Sequence, residues 1–328
     1  MTGKRWAALI LAIGLFFVSV VYQIGISEQT NQIGRFINGM YGEDIVRVGD
    51  PENKIVVLNL EGIIQDTGEA AFINEGGYHH DQFLTMLDQS GIDESVDGII
   101  LKVNTPGGGV VESAEIHDKV VEIRKETEKP IYVSMGNTAA SGGYYVSAPA
   151  DKIVAHPATL TGSIGVIMES INFAELADQV GIDFKTIKSG EFKDIMSSSR
   201  EMTEDEEVIL QTMIDEMYED FVQVIVDGRN MSEAEVKKLA DGRVYTGTQA
   251  EELDLVDDIG TLEDTIAMME TDHNLSEATI VEYDASFGLD ALFGMTAGQL
   301  FQSDSELKGL TNLLRSSDSP RAMYLYSR

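Results

Sequence analysis

Gly98-Ile99-Ile100-Leu101-Lys102-Val103-Asn104-Thr105-Pro106-Gly107-Gly108-Gly109 carries a short apolar run into three glycines. A helical stretch, Val110–Glu126, follows at once. Strand, glycine turn and helix in that order form the repeating unit of an α/β fold. Outward from this unit the alternation continues. Strand-like runs occur at Lys54–Leu60, Ile131–Ser134, Ile153–Ala155, Gly165–Met168 and Phe184–Lys188. Between several of them lie helical stretches at Asp81–Asp88, Gly142–Ser147 and Phe173–Val180. Near-continuous apolar strands separated by helices predict a buried, mainly parallel sheet. Farther on, Thr203 and Glu206 form a capping box that opens a long helix. Its stripe of Val208, Ile209, Met213, Met217, Phe221, Val224 and Ile225 is expected to face the core, with Gly228 marking its end. Ser232 and Glu235 open a shorter helix in the same way.

Composition narrows the partners. The chain has 328 residues, with 56 acids against 23 bases and a net charge of −33. Such a surface repels phosphates, so DNA and RNA are excluded as partners. With no cysteine, disulfide scaffolds, thiolate metal sites and cysteine nucleophiles are excluded too. The five histidines show no metal-ligand spacing, and His79-His80 reads as part of a surface loop. No metal is expected.

The amino end reads as a membrane anchor. Lys4 and Arg5 precede an uncharged run from Trp6 to Ile26, broken only by the polar Ser19 and Gln23. As a helix this run spans about 31 Å, the thickness of a bilayer core. It is longer than the apolar region of a cleaved signal peptide. The flanking positive charges place the amino end in the cytoplasm and the remainder outside it. The expected organisation is a cytoplasmic end and anchor at 1–27, a stalk at 28–50, a catalytic domain at 51–295 and a tail at 296–328.

Three loops could carry chemistry. The glycines after Pro106 can present bare amides to a developing oxyanion, although a plain strand–helix turn explains them equally well. Ser141, in Ala139-Ala140-Ser141-Gly142-Gly143-Tyr144-Tyr145, reads as a helix cap or as an exposed nucleophile. Lys193, in Lys188-Ser189-Gly190-Glu191-Phe192-Lys193-Asp194, reads alone as a solvated charge.

Taken together, these loops resemble those of the signal peptide peptidase A family, membrane-anchored Ser–Lys proteases of the Clp-protease/crotonase fold. The resemblance runs from about Lys54 to Asp257. It rests on V-N-T-P-G-G-G at 103–109, A-A-S-G-G-Y-Y at 139–145, T-G-S-I-G-V at 161–166 and S-G-x-x-K-D at 189–194, with D-G-R-V-Y-T-G-T-Q-A at 241–250 downstream. Asp254 departs from the pattern at a position where relatives usually carry glycine. The resemblance implies Ser141 as nucleophile, Lys193 as general base and Ser163 as the group that orients the lysine. It also implies an oxyanion hole from the amides of Gly108 and Gly142, with substrate added along the Gly107–Gly109 edge. It points to peptide substrates that include released signal peptides, to a ring-like homo-oligomer in which Ser141 can meet a neighbour's Lys193, and to no cofactor.

The chemistry sets conditions on these residues. Serine becomes a nucleophile when a base takes its proton, and lysine can take it only when neutral. An ordinary lysine, near pKa ~10.4, is neutral in well under ~1% of molecules at pH 8. Burial is therefore expected around Lys193, with Phe192 helping to exclude water and Asp194 turned away. Competing readings are a crotonase-type acyl-CoA enzyme, an α/β-hydrolase built on Ser163 and His273, and a noncatalytic membrane scaffold. The last octapeptide, Arg321 to Arg328, is free of acids in an acidic chain and apolar like a substrate. It is either a bland tail, disordered or added to a neighbouring strand edge, or a pseudosubstrate in the catalytic groove.

Overall fold

The computed structural model describes residues 42–66, 78–284 and 322–326, which belong to one compact unit of the chain. In chain order the elements are β1 (Gly42–Arg47), β2 (Asp50–Glu61), α1 (His80–Ile92), β3 (Gly98–Thr105), β4 (Gly107–Gly109) and α2 (Val110–Thr127). Then come β5 (Ile131–Ala140), α3 (Gly142–Ser147), β6 (Lys152–Ala155), β7 (Leu160–Gly162), α4 (Ala174–Gln179) and α5 (Glu204–Arg229). The remainder is α6 (Glu233–Leu239), β8 (Val244–Thr246), α7 (Gly247–Glu252), β9 (Asp258–Ile259), α8 (Leu262–His273), β10 (Ala278–Asp284) and β11 (Met323–Leu325).

The main sheet runs β1-β10-β2-β3-β5-β6-β9, with β7 pairing the far end of β5 and β8 pairing β7. All of these pairs are parallel except β1–β10 and β7–β8. The central strands are buried on both faces, and their alternation sorts two cores. Val56, Leu58, Ile99, Leu101, Ile131 and Val133 pack with residues of α1, α2, α3 and α5. Ile55, Val57, Ile100 and Tyr132 face Ile266 and Met269 of α8 on the other side. The fold is α/β with a mainly parallel sheet.

Several expectations need correction. Gly165–Met168 forms no strand; Ile167 makes only a single bridge, to Met323. Phe184–Lys188 is not a strand either, because no sheet edge among the described residues meets it, and Ile187 is fully exposed. The sheet starts earlier than expected: β1 lies inside the 28–50 stretch read as a stalk and pairs with β10. His80 is no surface-loop residue, since it opens α1 and is buried. Its Nδ1 meets the Tyr78 hydroxyl at 2.6 Å and its Nε2 meets Glu115 at 2.7 Å.

On α5 the capping box forms as read, yet only the second half of the apolar stripe is covered. Phe221 and Ile225 are buried, whereas Val208, Ile209 and Met213 are exposed. Gly228 does not end the helix. The chain turns at Asn230, with φ 52°, while a Cβ at Gly228 would lie 2.3 Å from the Ala148 carbonyl oxygen. Asp254 turns the chain at φ 58°, a left-handed conformation that Asp tolerates better than most residues.

The expected anchor lies outside the described residues. Among the described residues no helix is long and apolar enough to cross a membrane.

Candidate active site

The site grows from the ends of β3, β5 and β7. Beyond β3, the Thr105 hydroxyl accepts the Gly107 N–H at 3.0 Å, and Gly107 takes φ 99°, which glycine allows at little cost. Ile64 holds one edge of β4: its N–H donates to the Gly107 carbonyl at 2.9 Å and its carbonyl accepts the Gly109 N–H at 2.8 Å. The other edge of β4 receives β11.

Ser141 sits where β5 turns into α3. It has φ 54° and ψ −116°, a conformation rare outside glycine, and is 1% exposed. Its own N–H donates to the Gly162 carbonyl at 2.7 Å, and its carbonyl accepts the Tyr144 and Tyr145 N–H groups. Gly142 follows in a space that admits no side chain. A Cβ there would lie 3.1 Å from both Gly107 Cα and the Gly108 nitrogen, and 2.6 Å from the buried Ser113 hydroxyl. On Gly107, a Cβ would lie 2.6 Å from the Gly142 nitrogen. The glycine loop and the Ser141 turn are therefore packed backbone to backbone.

Parallel pairing of β5 with β7 sets Ala140 opposite Gly162, so Ser163 emerges beside Ser141. Ser163 is also strained, at φ 49°, and its N–H donates to the Arg243 carbonyl at 2.8 Å. The structure thus brings together Ser141, Ser163, Gly142 and Gly107–Gly109. His273 takes no part: it lies at the end of α8, 3.3 Å from the Tyr132 hydroxyl, which removes the partner an α/β-hydrolase reading of Ser163 needs.

Lys193 is not brought to Ser141 within this chain. It is exposed in a turn where its N–H meets the Gly190 carbonyl at 3.3 Å, and Phe192 is itself 39% exposed. The burial expected around the amine is absent from the single chain. Asp194 is committed elsewhere, accepting from Lys188 at 2.6 Å and Arg200 at 2.7 Å. Arg200 also pairs with Glu206, which closes the capping box at Thr203.

These hydrogen bonds hold Asp194 well below the ordinary carboxylate range. Glu206 is pulled down to about 2 by Arg200 and the Thr203 N–H. Folded values below the unfolded ones stabilise this arm, fully above about pH 4, and the contribution is withdrawn as the pH falls through the folded values. Amide exchange across residues 188–206, corrected for intrinsic rates, should accelerate relative to β3 and β5 below about pH 4. Unchanged protection there would show that the ion network is not what orders the arm.

The tail segment completes the site. β11 pairs antiparallel with β4, setting Met323 opposite Gly109, Tyr324 opposite Gly108 and Leu325 opposite Gly107. On its other side Met323 exchanges two hydrogen bonds with Ile167, at 3.0 and 2.9 Å. A Cβ at Gly107 would lie 2.1 Å from the Tyr324 carbonyl oxygen. The contributions of Ile64, Thr105, Ile167, Tyr145 and Phe221 were not anticipated. Thr105 holds the glycine strand through its hydroxyl, and the others hold the strand or the tail through backbone hydrogen bonds or ring packing.

Comparison with known proteins follows this geometry. Residues 123–276 match Peptidase family S49, a span that includes Ser141, Ser163 and Lys193. The chain is 39% identical to a candidate signal peptide peptidase SppA of Enterococcus faecium over 99% of both chains. It is 32% identical to Protease 4 of Haemophilus influenzae, over 84% of this chain and 46% of that one. It is also 30% identical to the chloroplastic serine protease SPPA of Arabidopsis thaliana, over 68% of this chain and 33% of that one.

Proposed function

The chain belongs to peptidase family S49 and is a serine peptidase, and we propose that it is a membrane-anchored endopeptidase of the Clp-protease/crotonase fold that uses a Ser–Lys dyad. Ser141 is the nucleophile, Lys193 of a neighbouring subunit the general base, and Ser163 orients the lysine amine. The observation that carries this reading is the junction at Ser141: a buried, strained serine whose following amide is packed against the glycine strand.

In the reaction, the Ser141 hydroxyl gives its proton to the neutral amine as Oγ attacks the scissile carbonyl. Negative charge gathers on that oxygen between the amides of Gly108 and Gly142. Collapse expels the peptide amine, which takes the proton from Lys193. Water then attacks the acyl-serine by the same route and restores the enzyme. No cofactor enters these steps.

The exposed position of Lys193 favours a ring-like homo-oligomer over a lone chain. The lysine rides on an arm whose Ile171, Leu176, Val180, Ile182, Phe184 and Ile187 are exposed. A second copy packed there would hide this apolar surface and dry the amine. The uncharged run at 6–26 supports an anchor that leaves the catalytic part outside the membrane. There it meets extended apolar peptides, including released signal peptides.

Full-length protein in detergent should cleave a Leu/Ala-rich peptide faster than a highly charged one of equal length. Ser141→Ala should abolish both activities while retaining the native circular dichroism. Preference for the charged peptide rejects the substrate class. Activity surviving in Ser141→Ala rejects the nucleophile.

A further inference from the structure

We infer that Tyr144 is a positioning residue for the reaction: its hydroxyl, bonded to the Leu255 carbonyl, pins α3 and so keeps Ser141 in its strained backbone conformation. The inference rests on the reading of Ser141 as the nucleophile.

Ser141 is caught between two frames. On the β5 side its N–H donates to the Gly162 carbonyl at 2.7 Å, which fixes φ. On the α3 side its carbonyl accepts the Tyr144 and Tyr145 N–H groups, both at 2.9 Å, which fixes ψ. A residue at φ 54° and ψ −116° keeps those angles only while its surroundings over-determine them. A small slide of α3 against β5 would let the torsions relax and carry Oγ away from the amides proposed to hold the oxyanion.

Most of α3 lacks a directional tie against that slide. Gly142 and Gly143 have no side chain, and Val146 offers only apolar contact. The Ser147 hydroxyl is spent inside the helix, on the Gly143 carbonyl at 2.6 Å. Among the described residues Tyr144 is the only α3 side chain hydrogen-bonded to another element, its hydroxyl donating to the Leu255 carbonyl at 2.8 Å. Apolar contact is non-directional, whereas a hydrogen bond weakens steeply with angle and distance.

The receiving end is itself held. Leu255 is fully buried, and its N–H donates to the Ala250 carbonyl at 2.9 Å. Two residues on, the Asp257 N–H donates to the Ile153 carbonyl at 2.9 Å, and its carboxylate accepts the Ile153 N–H at 2.7 Å. The same carboxylate pairs with Arg229 at 2.6 Å. Tyr144 therefore ties the helix that follows the nucleophile to a turn fixed on β6. It is fully buried, and burial holds its phenol well above the ordinary tyrosine value, so the donor keeps its proton at neutral and mildly alkaline pH.

Tyr144→Phe keeps the ring and removes the tie. In full-length protein it should lower kcat for a peptide ester by roughly ten- to hundred-fold, the cost of a misplaced reacting group. KM should stay within about two-fold, because only the step after binding is affected. The loss should be equal across a pH series, as the phenol does not titrate there. Tyr218→Phe on α5 is the control: it removes a like bond, from hydroxyl to the Ala240 carbonyl at 3.0 Å, and should keep kcat within about two-fold. A fluorophosphonate probe, whose phosphorus bonds Ser141 Oγ as fluoride leaves, should label Tyr144→Phe about ten-fold more slowly than wild type.

Wild-type kcat and labelling rate in Tyr144→Phe overturn the role. An equal loss in Tyr218→Phe overturns it too, as general loosening of the fold. A raised KM at unchanged kcat does the same by placing the tyrosine in substrate binding. Wild type that takes no label at Ser141 removes the nucleophile itself, a result distinct from wild type and variant labelled equally fast. Should Tyr144→Phe fail to fold, Asp257→Asn loosens the Leu255 turn from the other side and should lower kcat with KM unchanged. Wild-type kcat in that variant counts against the role.

Discussion

Lys193→Ala is expected to lower turnover of a peptide ester by ~10²–10⁴-fold, the usual contribution of a positioned general base. Lys188→Ala should cost at least ten-fold less. The two amines lie five residues apart in one turn, and the structure gives them different work. Lys188 is spent on Asp194 and the Glu191 carbonyl, and Arg200 holds the same carboxylate when Lys188 is gone. The Lys193 amine makes no hydrogen bond or ion pair among the described residues, as a base reserved for another surface requires. In wild type, turnover should rise with pH through the range in which the base gives up its proton, and Lys193→Ala should flatten that rise. The measurement is kcat/KM across a pH series for both variants. If Lys193→Ala keeps more than about half of wild-type activity against that ~10²-fold minimum, another group is the base.

How much of this was legible depends on what each segment packs against. Val56, Ile99 and Val133 announce buried strands because both faces of a central parallel strand are covered by the same chain. The turns at Gly107 and Ser141 were legible because their backbone demands small residues in fixed order, whereas the turn at Ser163 was not read from the sequence. Gly142 shows the strength of the demand: a single methyl there would press on Gly107 and on Ser113. Phe184–Lys188 misled for the opposite reason. Its β-branched and aromatic residues fit a pleated surface, but propensity records compatibility with a partner and not the presence of one. The first half of α5 misled in the same way, since Val208 and Met213 carry a core-like period but are exposed among the described residues. Both errors leave apolar side chains exposed among the described residues. The place of Tyr324 in the core beside Tyr145 is a long-range pairing that no local pattern encodes.

Mixing the two inactive variants, Ser141→Ala and Lys193→Ala, should restore activity that neither has alone. Ser141 is buried between the glycine strand and Ser163, whereas Lys193 stands in solvent on an arm with exposed Ile171, Leu176 and Ile187. If the arm of one subunit covers the site of the next, each functional dyad draws its serine and its lysine from different chains. A heterologous ring assembled at random from equal amounts has roughly one quarter of its junctions with an intact serine facing an intact lysine. Against parent variants lowered by ~10²–10⁴-fold, recovery towards a quarter of wild-type turnover is a large signal. It should require dissociation and reassembly, and it should be lost when the arm is made polar by Ile187→Glu, which touches neither reacting group. Native mass spectrometry supplies the control by counting mixed assemblies. Mixed assemblies that stay inactive would mean that serine and lysine come from one chain, and the arm would then have to fold back over its own Ser141.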